Sequence, residues 1–102
     1  MDVKFNKEGN TLIVLIEGEI DHHTASRARD RIDNKFLMEP VKNLVMDLSR
    51  VTFMDSSGIG LILGRMSRVS SVGGKMSIRK PKPEINKILK MSNIESIVEL
   101  DA

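Results

Sequence analysis

The stretch Thr11-Leu12-Ile13-Val14-Leu15-Ile16-Glu17 is apolar at both parities and rich in β-branched side chains. A short run of this kind packs as a central strand, and one apolar on both sides is expected to be covered on both faces. Such a strand cannot stand alone in water, so the remaining residues must supply paired strands and covering helices. They do so in alternation. Val3-Lys4-Phe5 predicts a short first strand, and Glu8-Gly9-Asn10 is turn chemistry leading into the central run. Gly18 ends or bends that run. Thr24 suits an N-cap for a helix reaching about Leu37, with Ala25, Ala28, Ile32 and Phe36 on one face. Arg27, Asp30, Arg31, Asp33 and Lys35 spread around the rest, and Pro40 marks its end.

Asn43 to Leu48 predicts the next strand, with Leu44, Met46 and Leu48 on one face. Ser49 to Ser57 reads as a loop rich in cap residues, with Val51 and Phe53 pointing inward. A second helix is predicted from about Ser57 to Ser70, where Ile59, Ile62, Leu63 and Met66 keep helical spacing. Gly73-Gly74 closes that connection. Lys75 to Arg79 alternates as a strand with Met76 and Ile78 inward. Pro81 and Pro83 open a third helix with Ile85, Ile88 and Leu89 as its stripe. Ile97, Val98 and Leu100 form a last short strand.

Strands separated by helices place the chain in the α/β class. The short turn makes the first two strands an antiparallel hairpin, so the sheet is mixed. With 102 residues and no Pro/Ser-rich linker, residues 1–102 form one domain. Hydrophobic residues at 40% and charged residues at 29% are a globular mix. The absence of Cys excludes disulfides, thiolate catalysis and thiolate metal sites. A net charge of +2 calls for no polyanionic partner. No signal peptide is visible after Met1, and no apolar run is long enough to span a membrane, which points to the cytoplasm.

Most chemical motifs fail on spacing. Gly58, Gly60 and Gly64 miss the dinucleotide pattern, because Leu63 stands where its third glycine belongs. Those glycines also fall inside the predicted helix rather than before it. Asp21-His22-His23 lacks a second ligand cluster for a metal. A hydrolase elbow on Ser56 or Ser57 would need Gly two residues earlier, where Met54 and Asp55 stand. A small serine-dependent enzyme using His22 or His23 therefore has weak support. Asp47 at a strand end lacks the companion residues of a phosphorelay receiver. With no Tyr and no Trp there is no stacking platform for nucleic acid.

Met54-Asp55-Ser56-Ser57-Gly58 survives this filter. Ser and Asp cap helices, and capping alone accounts for them. Two hydroxyls at a positive helix end also suit phosphorylation, because free N–H groups tolerate the added charge. A phosphoserine brings about −1.5 to −2 charges at pH 7 and would repel a partner docked beside Asp55.

Three stretches carry a family resemblance: Gly18-Glu19-Ile20-Asp21-His22-His23-Thr24-Ala25, Val45-Met46-Asp47-Leu48, and Phe53-Met54-Asp55-Ser56-Ser57-Gly58-Ile59-Gly60-Leu61-Ile62-Leu63-Gly64-Arg65. Together they resemble the anti-sigma-factor antagonists of the STAS domain class, over essentially the whole chain. Asp-His-His-Thr is most similar to the sporulation branch, which frees sigma F in spore-forming Gram-positive bacteria. The resemblance implies a mixed sheet with packed helices, no enzymatic activity, no cofactor and no metal. It implies that the unphosphorylated protein binds an anti-sigma factor that is also an ATP-dependent serine kinase. Phosphorylation by that kinase expels it, and a PP2C-type phosphatase restores it. Carried over, Ser56 is the phosphoacceptor, Ser57 its neighbour and cap, and Asp55 the residue shaping the loop. Asp21 would pair with a basic residue of the kinase, within a docking set that includes His22, His23, Thr24, Gly58 and Ile59. The resemblance further implies a free monomer with no direct contact to nucleic acid or membrane. It also implies that a longer C-terminal segment of some relatives is missing. A STAS module of a stress-response complex remains the alternative.

Overall fold

The structure, a computed structural model, describes residues 1–101. Its elements run β1 (Asp2–Glu8), β2 (Thr11–Ile20), α1 (Ala25–Met38), β3 (Asn43–Met54), α2 (Ser56–Ser71), β4 (Met76–Arg79), α3 (Pro83–Met91), a short 3₁₀ turn at Ile94–Ser96, and β5 (Glu99–Asp101). The strands form one sheet in the order β1-β2-β3-β4-β5. β1 and β2 are antiparallel, and the other neighbours are parallel. This is the mixed sheet with an opening hairpin that the sequence leads one to expect.

The sheet is covered on one face only. Leu12, Val14 and Ile16 of β2, Leu44, Met46 and Leu48 of β3, and Met76 and Ile78 of β4 share a single apolar cluster with α1, α2 and α3. Double coverage of β2 does not occur. Ile13 lies outside that cluster, and Leu15 is only half-buried. Ile13 is shielded by its neighbours across the ladder, Asn6 and Val45, rather than by a helix. The open face carries charge, with Lys4 Nζ 3.0 Å and Arg50 Nη1 3.7 Å from Glu17.

Several boundaries differ from the sequence reading. β1 is longer at both ends, and β2 continues through Gly18 to Ile20. Gly18 sits at a register shift with φ +100°, a left-handed conformation that only glycine adopts without strain. The supposed loop from Ser49 is strand as far as Met54. Val51 is buried as expected, but Phe53 points outward and is 45% exposed. Ile97 and Val98 precede β5 rather than join it; Val98 is buried and Ile97 is exposed.

Asp33 is the other departure. Placed among the outward charges of α1, it is 9% exposed and sits at the seam with α2. Its Oδ1 lies 2.8 Å from Arg65 Nε, and its Oδ2 lies 3.3 Å from Arg68 Nε. The Arg65 N–H is not aligned on that oxygen, so the contact is an ion pair without a formed hydrogen bond. Burial pushes the Arg65 guanidinium below its ordinary value, and Asp33 opposes that shift. A carboxylate can be buried here because a cation from the neighbouring helix is buried with it.

Candidate docking site around Ser56

Ile20 and Met54 are register partners at the ends of parallel β2 and β3, and Asp55 N–H donates to Ile20 C=O at 3.3 Å. The Asp21–Thr24 turn and the start of α2 therefore leave the sheet side by side. Each is held by one aspartate. Asp55 is the N-cap of α2, its Oδ1 accepting from Ser57 N–H at 2.8 Å. Capping thus belongs to Asp55, not to Ser57 as the resemblance implied, because the carboxylate two residues before Ser57 reaches a free N–H of the first turn.

The cap leaves Ser56 as the first helical residue with an exposed hydroxyl. Ser57, Ile59 and Asp55 are half-buried, and Ile59 packs against the core. Gly58 is buried, and a Cβ there would overlap the Met54 side chain. Its place in the docking set is thus under the surface.

Asp21 performs the matching task before α1. Its Oδ1 accepts from His23 N–H at 2.9 Å and Thr24 N–H at 3.1 Å. Thr24 stands at the N-cap position but makes no side-chain cap bond. Its hydroxyl instead donates to Glu19 C=O at 3.0 Å and accepts from Asp21 N–H at 3.0 Å. Desolvation pulls the Asp21 carboxyl upward, but the hydrogen bonds from His23 and Thr24 outweigh it and hold the group below its ordinary value. Asp21 is therefore a fixed negative charge. His22 and His23 are exposed, their ring centroids 3.9 Å apart.

Between the first turns of α1 and α2 lies a cleft of about 300 Å³, lined by His22, Ser26, Arg29, Ser57, Gly60 and Arg65 among others. Ser26 and Arg29 were not singled out from the sequence, because no local spacing ties them to Ser57; Gly60 entered only through the failed glycine pattern and the family stretch, and Arg65 only through that stretch. Among the described residues, no hydrogen bond joins His22 or His23 to Ser56 or Ser57, and no cluster of three or more metal-ligating side chains occurs. Among the described residues, no helix is long and apolar enough to cross a membrane.

A family model described as the STAS domain matches residues 2–102. The chain belongs to the STAS domain family. The anti-sigma F factor antagonist of Paenibacillus polymyxa is 32% identical to this STAS domain over 98% of the chain and 86% of its own length. The solved structure of the anti-sigma factor antagonist SpoIIAA in its unphosphorylated form superposes with a TM-score of 0.84 at 27% identity, covering 99% of this chain and 89% of that one. The structure of the Bacillus cell fate determinant SpoIIAA in the phosphorylated form gives a TM-score of 0.75 at 27% identity, covering 99% and 92%. The five-stranded mixed sheet with three helices of this STAS domain is thus the SpoIIAA fold.

Proposed function

We propose that this chain is an anti-sigma-factor antagonist switched by phosphorylation of Ser56. In its unphosphorylated form it binds an anti-sigma factor that is also a serine kinase, and the sigma factor, sigma F of the sporulation branch, is released. The kinase transfers the γ-phosphoryl group of ATP to Ser56 Oγ; the hydroxyl proton is lost and ADP leaves. A PP2C-type phosphatase hydrolyses the phosphoserine and resets the cycle. The protein acts as a cytoplasmic, monomeric binding module without turnover of its own.

The observation that carries this reading is the exposed Ser56 hydroxyl on the first turn of α2, framed by Asp55 and by the adjoining Asp21–His23 turn. Free N–H groups at that helix end accommodate a phosphate without unfolding the domain. The likeness to a protein solved in unphosphorylated and phosphorylated forms supports the same switch.

Intact-mass analysis with fragment mapping tests it. Wild type and Ser56→Ala are incubated with magnesium-ATP and an extract of the source organism. One added phosphate on Ser56, absent from the variant, is the expected result. An acid-labile phosphate on Asp47, or no phosphate at all, overturns the proposal.

A further inference from the structure

The cleft between α1 and α2 is cationic, with Arg29 and Arg65 in its lining. Arg29, Arg65 and Arg68 are close enough that Arg29 and Arg68 both depress the Arg65 guanidinium. Asp33 answers Arg65 and Arg68. Arg29 is left with Asp30, its neighbour in sequence, and both its contacts fall on one exposed oxygen, Nε and Nη2 each 3.1 Å from Oδ1. An exposed pair of that kind is weak, so Arg29 is free to turn toward a stronger anion. Among the described residues, none lining the cleft is acidic. Asp21, next to the lining His22, and Asp55, near the lining Ser57, accept from backbone N–H groups of their own turns, while Asp30 and Asp33 pair with Arg29, Arg65 and Arg68.

Ser56 stands one turn before Gly60, which lines the cleft, and next to Ser57, which also lines it. Gly60 is exposed and brings no side chain of its own to fill the cleft. Arg65 is 6% exposed and walls the same cleft, its Nε 2.8 Å from Asp33 Oδ1.

We propose that the phosphate on Ser56 folds back into this cleft and is gripped by Arg29, with His22 as its second partner. The inference rests on Ser56 being the modified residue. It gives the modified protein an internal seat for the new charge: a guanidinium offers paired donors to phosphate oxygens, at a helix end that already favours anions. The phosphate then changes the shape of the docking surface by drawing Arg29 across the cleft, in addition to repelling the partner.

The test installs phosphoserine at position 56 during translation, so that no kinase is needed. Phosphorus NMR then follows its second ionisation, which lies near pH 6 in the free group. In the wild type this ionisation is expected about one unit lower or more, as an opposite charge in contact demands. Arg29→Ala should return most of that shift and Arg29→Lys should retain part of it. His22→Ala, which removes the second partner, should return a smaller part of it. Arg29 is exposed and outside the core, so these variants fold. The same titration in wild type and Arg29→Ala overturns the proposal, because the helix end alone then explains any shift. Failure of the parent reading shows up elsewhere, as no kinase-dependent phosphate on the unmodified protein, and leaves the Arg29 comparison intact.

Discussion

At the scale of single residues, two aspartates do comparable work at neighbouring helix starts, and their surroundings separate their roles. Asp55 spends its carboxylate on the first turn of α2, which leaves the adjacent Ser56 hydroxyl outward and unengaged. Ser56→Ala should therefore fold normally, take no phosphate and stay bound to the anti-sigma factor. Ser56→Asp should bind it at least about tenfold more weakly, a penalty of about 1.4 kcal/mol, measurable by titration calorimetry. Binding of Ser56→Asp equal to wild type would contradict a switch based on charge. Asp21 titrates with a consequence for stability. Its folded pKa is lowered, so the group contributes stability above its unfolded value and loses it as pH falls below 3.8. Asp21→Asn keeps an acceptor oxygen without the titration. Its melting temperature should fall less than that of wild type through this acidic window, as thermal unfolding at stepped pH would show.

At the scale of elements, β3 shows where period-two reasoning stops. Between Leu15 and Glu17 of β2 the partner positions advance from Asp47 to Arg50, and between Gly18 and Glu19 they advance from Val51 to Phe53. Each step gives β3 one residue more than β2. Inward positions consequently run Leu44, Met46, Leu48 and then jump to Val51 and Met54. A bulge breaks alternation while the strand continues, which is why Ser49 onward reads as loop. The extension matters to the site, because it carries Met54 under the start of α2. Gly58→Val places a branched side chain against Met54 and should slow phosphorylation of Ser56 and destabilise the fold by about 1–3 kcal/mol. Unchanged phosphorylation kinetics together with an unchanged urea midpoint would show that this contact does not position the site.

At the scale of the whole molecule, a sheet covered on one face makes neighbouring substitutions unequal. Ile78 is fully buried, and Ile78→Ala should cost about 2–5 kcal/mol, whereas Ser77→Ala on the open face should stay within about 0.5 kcal/mol. Urea denaturation reads both, and equal costs would mean that the open face is covered. The α1–α2 seam behaves likewise. Asp33→Ala strands Arg65 as a buried unpaired cation and should cost about 3–5 kcal/mol. Replacing both partners, as Asp33→Leu with Arg65→Met, should recover most of that loss, and a double variant as unstable as the single one would refute the pairing.

The amino-acid sequence by itself determined the order of elements, the opening hairpin, the loop-to-helix position of Asp55 and Ser56, and the family likeness. All of these rest on short-range chemistry: caps, turn residues, periodicity and local motifs, each complete within a few neighbouring positions. Only the tertiary structure decided which face of β2 is open, that Asp33 lies inside, and that Arg29 shares a cleft with Ser57. Those outcomes depend on residues distant in sequence. Asp33 can be buried only where Arg65 arrives to neutralise it, and because β2 to β5 step one way across the sheet, right-handed crossovers put the helices on one face and leave the other open.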